Sequence, residues 1–414
     1  MFSFPFSKRT DWSLQNNPLS LALENMKQAG VSILDLTESN PTQCGFNYPA
    51  TWLEGLSNSS ALTYAPEAKG MLKARQAVAG YYTQRNSSID PEHLVLTSST
   101  SEGYSFLLKL LTNPGDHVLI PKPSYPLFQF LLELHDVDFD YYPLTYDGTW
   151  KIDQKAFKNL VTAKTKAVIL VNPNNPTGSY ISFEDIAFLN EQCVKNQMAI
   201  ISDEVFLDYR LSFPNASVGN PEFGPPSTTN GSPRQEGRTF GGDSGSLVDN
   251  TKALTFVLSG ISKILGVPQM KLSWIAINGP QATVQVAIDR LEIIADTYLS
   301  VNTPVQNALS TWLAGSHKIQ KQILERVQGN LEVLRRGMIN HARTLSVEGG
   351  WYAVIDAPSI VSEEDFILDL LQTEHVLVHP GYFFDFDREG YLVLSLLPKP
   401  EVFAQALEKI SRKM

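Results

Sequence analysis

Two lysines lie close together in an apolar stretch, LSGISKILGVPQMKLSW, which runs from Leu258 to Trp274. Lys263 and Lys271 are eight residues apart in it, among apolar and small side chains. An apolar setting disfavours a charged ammonium, so such a lysine loses its proton more readily and can form a Schiff base with a carbonyl compound. The alternative, which holds for most lysines, is that both are solvated on a turn around Pro268. We therefore hypothesise that one of the two lysines forms a covalent bond with a ligand and that the other supplies a positive charge.

Two polar residues that follow apolar runs have side chains suited to a ring-shaped ligand. In AIISDEVFLDYRL, Asp203 comes directly after such a run, where a carboxylate is costly unless a cation pairs with it. A protonated ring nitrogen is one such cation. In VNPNNPTGS, Asn175 fits a turn, and its amide can also donate to a ligand oxygen.

Two further segments have the residues that a phosphate and a flat ring require. In VLTSSTSEGYSFLLKLL, Ser99 and Glu102 have capping-box spacing, and Thr100 and Ser101 add hydroxyl donors at the helix N-terminus, where an anion is favoured. A well-capped helix explains this pattern by itself. In PKPSYPLFQF, prolines restrict the loop around Tyr125, whose ring can stack on a ligand or close the core.

The surrounding patterns predict a sheet that places these residues along one edge. Short runs rich in Val, Ile and Leu alternate with amphipathic helical patterns, which predicts an α/β fold with a mostly parallel, seven-stranded-type sheet between helices. Ligands of such sheets bind at the carboxyl ends of the strands. The predicted strands are HLVLTSS, HVLIPKP, KAVILVNP, AIISDEV, LTFVLSG and SWIAING.

The pattern changes after Ser300 and predicts a smaller α+β domain. Long helical stretches are followed by the strand-like runs GGWYAVIDAP and GYLVLSLL, and the chain ends with the helical EVFAQALEKISRKM. We assign residues 45–300 to a large domain, and residues 1–44 together with 301–414 to a small one. Residues 212–250 are rich in Gly, Pro, Ser and Asn, which predicts a long surface loop.

Composition argues against several classes of protein. The chain has 414 residues and a net charge of -10 without a basic stripe, so nucleic acid is not an expected partner. The two cysteines and seven histidines show no metal-ligand or disulfide spacing. No apolar run approaches the roughly 18 to 20 residues of a membrane helix, and the N-terminus lacks a signal-peptide pattern. We expect a cytoplasmic enzyme for small molecules, with no metal and no membrane contact.

The order of the candidate residues describes one cofactor site. A phosphate-binding helix start, an aromatic ring, an asparagine, an aspartate and a lysine each follow a strand, as a pyridoxal phosphate site requires. From about Ile33 to the C-terminus, the chain resembles the fold-type I pyridoxal phosphate enzymes, specifically the class I/II aminotransferases of the aspartate aminotransferase superfamily. The resemblance implies transfer of an amino group between an amino acid and a 2-oxo acid.

The resemblance also implies a role for each residue around the cofactor ring. Lys263 forms the Schiff base and moves a proton between the substrate and the cofactor. Asp203 pairs with the pyridinium nitrogen and keeps it protonated. Tyr125 stacks on the ring, and Asn175 hydrogen-bonds its phenolic oxygen near the substrate.

Other implied roles concern the phosphate, the substrate and a second subunit. Thr100 and Ser101 hold the phosphate. Tyr64, in LTYAPEAKGMLKARQAVAGYY, reaches the phosphate of the neighbouring subunit's cofactor, which implies a homodimer with shared active sites. Asn40 in DLTESNPTQCGF and Trp351 in GGWYAV border the substrate pocket.

Three positions depart from the family's pattern. Lys271 stands where an arginine usually forks onto the phosphate, and a lysine supplies only a point charge there. Phe206 stands where a tyrosine commonly donates to the phenolic oxygen, so we expect the pKa of the imine to rise. Val393 stands where an arginine usually binds the substrate's α-carboxylate. Arg9, among aromatic residues near the N-terminus, is a candidate substitute.

Two other functions are open on the same sequence. The changes at Val393 and Phe206 give some support to a pyridoxal phosphate-dependent decarboxylase or a C–S or β-elimination lyase, since one scaffold hosts many reactions. The other alternative is a regulatory protein that binds the cofactor without catalysis. Such regulators carry a basic helix-turn-helix segment, and the chain shows none. Transamination remains the leading prediction.

Overall fold

The computed structural model describes residues 4–15, 17–211, 245–337, 342–358, 360 and 362–414. The strands are β1 Leu34–Asp35, β2 Leu94–Thr97, β3 His117–Lys122, β4 Asp138–Tyr146, β5 Trp150–Ile152, β6 Thr165–Val171, β7 Ala199–Asp203, β8 Thr255–Gly260, β9 Ser273–Asn278, β10 Arg343–Thr344, β11 Tyr352–Asp356, β12 Val376–Leu377, β13 His379–Pro380 and β14 Tyr391–Ser395. The α-helices are α1 Pro18–Gln28, α2 Leu72–Thr83, α3 Thr100–Leu111, α4 Leu127–Glu133, α5 Gln154–Leu160, α6 Phe183–Asn196, α7 Ile261–Ile264, α8 Gln281–Tyr298, α9 Thr303–Ala314, α10 His317–Gly337, α11 Glu363–Asp369 and α12 Pro400–Lys413.

The central element is an eight-stranded mixed sheet with the strand order β2-β9-β8-β7-β6-β3-β4-β5. The pairings from β8 through β7, β6 and β3 to β4 are parallel, and β9 and β5 pair antiparallel with their neighbours. The predicted α/β fold with a mostly parallel sheet is confirmed, and all six predicted strands of this sheet are present. The sheet also has β4 and β5, because β4 is a partly exposed strand with polar residues that does not read as an apolar run.

Both faces of this sheet are buried, as a helix-covered parallel sheet requires. Alternate residues of one strand enter different apolar clusters: Val118 and Ile120 pack with α3 and α8, whereas Leu119 belongs to the cluster on the other face. Every residue of β7 and β8 is buried, and the carboxylate of Asp203 comes at the last position of β7, at the carboxyl edge of the sheet. The fold therefore concentrates its chemistry at that edge.

A second, four-stranded sheet has the order β10-β11-β14-β13 and is antiparallel. One face of it, with Leu392, Leu394 and Ile355, belongs to the apolar cluster that also contains the buried apolar residues of α10 and α12. The parallel pair β1 and β12 joins the N-terminal part of the chain to this C-terminal part. This α+β unit matches the predicted smaller one in its strands and final helix.

The predicted surface loop at 212–250 is only partly described. Residues 212–244 lie outside the described residues, and nearly all of 245–250 is buried, so this last part of the loop prediction is wrong. It is buried because Glu204, at the end of β7, accepts hydrogen bonds from the Ser246 hydroxyl at 2.6 Å and the Leu247 N–H at 2.8 Å. These bonds fix the segment that leads into β8.

Candidate active site

A cavity of about 230 Å³ opens at the carboxyl edge of the large sheet, between it and β11 of the smaller sheet. The sequence-predicted residues that line it are Thr100, Ser101, Tyr125, Asn175, Asp203 and Lys263. They come from the ends of five strands, β2, β3, β6, β7 and β8, that are neighbours or near neighbours in the sheet. Residues that are far apart in sequence therefore share one cavity, as the strand-end argument predicted.

The start of α3 presents hydroxyl and N–H donors to the cavity. Ser99 caps the helix by accepting the N–H of Glu102 at 3.1 Å, and the Glu102 carboxylate accepts the N–H of Ser98 at 2.6 Å. This is the predicted capping box with one difference: the Glu102 carboxylate accepts the N–H of Ser98 rather than that of the N-cap residue Ser99. Gly103 lets the helix lie close to β8, because a Cβ there would be 2.7 Å from the Leu258 side chain.

Asp203 is the acid of the cavity. One of its oxygens accepts the Tyr104 hydroxyl at 3.1 Å and the other accepts the Val205 N–H at 3.2 Å. Burial raises the pKa of Asp203 to about 6, while these two bonds and the charge of Lys263 act in the opposite direction. A cationic ring nitrogen in the cavity would lower that pKa further and stabilise the ion pair.

Lys263 brings a partly neutral amine into the same cavity. Burial lowers the pKa of Lys263 to about 8, and the charge of Asp203 partly opposes this shift. Its amine lies 5.0 Å from the ring centre of Trp351 and 5.3 Å from that of Phe206, which is within cation–π range. The Tyr209 hydroxyl donates to the Lys263 carbonyl at 2.6 Å and fixes the backbone of the short helix α7. The hypothesis of a nucleophilic amine is consistent with this environment.

Asn175 and Tyr125 also line the cavity. The side-chain oxygen of Asn175 is buried and has no hydrogen-bond partner among the described residues. Its neighbour Asn174 instead makes the turn, since its amide donates to the Thr177 hydroxyl at 2.9 Å and to the Pro123 carbonyl at 3.1 Å. Tyr125 leaves 45% of its surface exposed at the mouth of the cavity.

The structure places five other residues of interest outside the cavity lining. Lys271 is exposed at a left-handed position with φ 49°, and Tyr64 is 78% exposed. Asn40 uses its side chain to cap a short helix by accepting the N–H of Thr42 at 3.1 Å. Trp351 is fully buried behind the lysine amine, and Arg9 pairs with Asp136 at the outer end of α4.

Several lining residues were not found from the sequence. Ser39, Ser262, Ser273 and Tyr352 line the cavity, and Tyr104 holds Asp203 from behind. Ser262 directly precedes Lys263, and Ser39 directly precedes Asn40. Their position next to a candidate residue is the sequence feature from which they could have been predicted. Tyr104 sits one helical turn after Thr100, which places it on the same side of α3.

The smaller sheet presents an apolar surface at the position of the missing arginine. Val393 is fully buried and lies opposite Val354 on β11 and His379 on β13, with Phe384 and Phe386 in the same apolar cluster. Two residues along β11 from Val354, on the same face, Tyr352 lines the cavity. Lys263 is the one cation among the described residues that line this cavity.

The residues present fit pyridoxal phosphate. The unpartnered oxygen of the buried Asn175 amide marks a polar group that a ligand would satisfy, and amide orientation is assigned from such partners. The cavity also joins an amine of lowered pKa, a buried acid and a helix N-terminus with two hydroxyls. These are the groups that an aldehyde, a pyridine nitrogen and a phosphate require.

The sequence as a whole matches a known protein family. The family model for aminotransferase class I and II matches residues 33–410. The chain belongs to the aminotransferase class I and II family. It is accordingly an aminotransferase, and the prediction made from the ordered motifs is confirmed.

Several similar proteins are alanine or glutamate-pyruvate aminotransferases. The chain is 27% identical to the glutamate-pyruvate aminotransferase AlaA of Haemophilus influenzae, over 94% of this chain and 92% of the relative. It is 26% identical to the alanine aminotransferase of Mycobacterium bovis, over 95% and 88% of the two chains. A solved alanine aminotransferase from Pyrococcus furiosus superposes with a TM-score of 0.83 at 20% identity and covers 99% of each chain.

The described residues provide neither a metal site nor a membrane-spanning helix. No group of three or more His, Cys, Asp and Glu side chains in the described part of the chain is placed to hold a metal ion. No described helix is both long enough and apolar enough to span a membrane.

Proposed function

We propose that this aminotransferase uses pyridoxal phosphate held covalently by Lys263, and that it moves an amino group between an amino acid and a 2-oxo acid. The observation that carries the proposal is the shared burial of the Lys263 amine and the Asp203 carboxylate in one cavity, where burial lowers the pKa of the first and raises that of the second. A structural ion pair would place them in contact, whereas here each faces space that a ligand would fill.

Each residue of the chain has a defined task in this proposal. When bound, the cofactor supplies an electron-withdrawing ring that stabilises negative charge on the substrate's α-carbon. Asp203 holds the ring nitrogen in its protonated form, and Tyr104 and the Val205 N–H keep the carboxylate in place. Thr100 and Ser101 hold the phosphate, with Ser262 beside them in the cavity lining.

Lys263 carries out the proton transfers at the substrate. With a pKa of about 8, roughly a tenth of the amine is neutral near pH 7, far more than for an ordinary lysine, and this form can accept a proton from the α-carbon and return it elsewhere. The rings of Phe206 and Trp351 hold the amine within the cavity. Tyr125, Tyr352 and Phe206 shield this region from water.

The substrates that we propose are alanine or another small amino acid as donor and a 2-oxo acid as acceptor. The names of the relatives, alanine and glutamate-pyruvate aminotransferases, support this choice. The cavity of about 230 Å³ and its aromatic wall are compatible with a small side chain.

We also propose a homodimer in which Tyr64 reaches the neighbouring cofactor site. An exposure of 78% for Tyr64, and of 91% for Leu62 beside it, supports a role outside its own subunit. The division into residues 45–300 and residues 1–44 with 301–414, and the cytoplasmic location, stay predictions.

A visible absorption spectrum of the purified protein tests the proposal. We expect a yellow band that bleaches when a donor amino acid is added without an oxo acid and returns with the oxo acid. Borohydride reduction followed by peptide mapping should place the cofactor on Lys263. Release of carbon dioxide or ammonia without any acceptor would instead favour a decarboxylase or an elimination lyase.

A further inference from the structure

A buried glutamate in the small α+β unit binds the backbone of a distant turn. Glu363, the first residue of α11, is 1% exposed. Its carboxylate accepts the N–H of Tyr391 at 2.7 Å and that of Tyr382 at 3.0 Å, and it also accepts from Gly381. Three backbone donors on one carboxylate are an unusually strong tie, because bonds to a charged acceptor are stronger than neutral ones.

The turn that Glu363 holds is the short 3₁₀ helix Gly381–Phe384. A side chain at Gly381 would not fit, since its Cβ would lie 2.6 Å from the Tyr391 Cβ and 3.0 Å from the Glu363 carboxylate. The close approach of the turn to the carboxylate is therefore built into the sequence. Glu389 adds a second tie from the same loop by accepting the Glu363 N–H at 2.9 Å.

The far end of this turn contacts the large sheet next to the active site. The Phe384 carbonyl accepts the N–H of Ser124 at 3.0 Å, and Ser124 directly precedes the cavity-lining Tyr125. The centre of the Phe384 ring lies 6.5 Å from that of Tyr352, which also lines the cavity. One turn thus contacts the loop that carries Tyr125 and the ring of Tyr352.

We propose that Glu363 is a positioning residue of the active site: by holding the Gly381–Phe384 turn, it fixes the Ser124–Tyr125 loop and the Tyr352 ring. Glu363 lines no part of the cavity. It acts through the turn, so its loss should disturb the fit of cofactor and substrate more than the reactivity of Lys263. The kinetic consequence rests on the proposed function, whereas the mechanical coupling does not.

Hydrogen–deuterium exchange of the full-length protein tests the coupling directly. Glu363→Gln keeps the shape but turns an amide NH₂ toward N–H donors, so at least one bond is lost. We expect faster exchange in peptides covering residues 381–391 and also in the peptide that contains Ser124. The matched control is Asp185→Asn, which alters another buried carboxylate that accepts a backbone N–H, from Ile152, at 3.4 Å, outside the cavity lining. The control should leave both peptides unchanged.

Kinetics of the loaded enzyme give the second readout. With Glu363→Gln we expect kcat/KM to fall roughly ten- to hundredfold, mostly through KM, as for displaced positioning groups. Faster exchange confined to 381–391, with a KM equal to that of the control, would show that Glu363 is only a structural tie and overturn the proposal. If the Gln variant does not fold, Glu363→Asp, which keeps the charge but is shorter, is measured in the same way. A protein that does not transaminate but still shows coupled exchange would refute the proposed function and leave this coupling intact.

Discussion

The two sheets that face the active-site cavity differ in chemistry. The large sheet contributes polar and charged groups at its carboxyl edge, such as Asp203 at the end of β7 and Lys263 in α7, the helix that follows β8. The small sheet contributes Tyr352 and, behind it, an apolar surface that includes Val393 and Val354. The proposed cofactor side is therefore specified by short motifs along the chain, and the proposed substrate side by residues that meet across paired strands. The following variants test this contrast, beginning with the largest expected effect.

Removing the amine should have the largest effect on the cofactor side. We expect Lys263→Ala to lower kcat by about 10⁴-fold, because it removes the group that transfers the proton. Steady-state kinetics with alanine and a 2-oxo acid other than pyruvate measure this loss. Lys252→Ala, which changes an exposed lysine just before β8, is the control and should behave like the parent. A Lys263→Ala protein with near-normal turnover would remove Lys263 from the mechanism.

Placing a charge on the substrate side should mainly affect stability. Val393→Arg buries a guanidinium in the apolar cluster with Phe384 and Phe386, so we expect a loss on the order of 3 to 5 kcal/mol in the free energy of unfolding. Val393→Met introduces a long side chain without a charge, so we expect it to lower the free energy of unfolding far less than Val393→Arg does. Denaturant unfolding measures both. A stable arginine variant with a lower KM for amino acids would show that this wall accepts the carboxylate anchor after all.

Neutralising the buried acid should stabilise the cofactor-free protein while it removes activity. The folded pKa of Asp203 is raised from 3.8 to about 6, so the protonated form contributes stability below pH 4 that is lost as the pH rises toward 6. Asp203→Asn lacks this titration, and we expect it to be more stable than the parent at pH 7 by about 1 to 3 kcal/mol. The two proteins should converge near pH 4. Thermal unfolding across this range checks the sign, and a less stable variant at pH 7 would contradict it.

The smallest effect concerns the rings around the lysine. Trp351→Phe weakens the cation–π contact that favours the ammonium, so we expect the pKa of Lys263 to fall below about 8 by a few tenths of a unit, or roughly 0.5 kcal/mol. The pH dependence of Lys263 acylation in the cofactor-free protein, followed by mass spectrometry, measures this shift. Trp312→Phe, a buried tryptophan that donates to Trp52 elsewhere, is the control. An unchanged or raised pKa would mean that the ring does not act on the amine.

The sequence predicted that Asn175, Asp203 and Lys263 share one cavity, because each comes at or shortly after the end of an apolar run. Once β6, β7 and β8 were recognised, Asn175, Asp203 and Lys263 had to share one edge of the sheet. Tyr104 was missed because its role depends on the side of α3 that faces β7. Tyr352 and Phe384 were missed because their positions depend on the packing of one sheet on the other. Trp351 and Asn40 lie outside the cavity lining, whereas their neighbours Tyr352 and Ser39 line it. Adjacent side chains of an extended chain point in opposite directions, and the sequence alone did not predict which of the two faces the cavity.

The order of the strands has a consequence for synthesis of the protein. Strand β2, which leads into the start of α3, lies at the edge of the sheet and pairs with β9, the last of its strands to be made. The nascent chain must therefore extend past Asn278 before Thr100 and Ser101 are held in place. Cofactor capture should be a late event that reports a finished sheet, and nascent chains that end before β9 should not retain it.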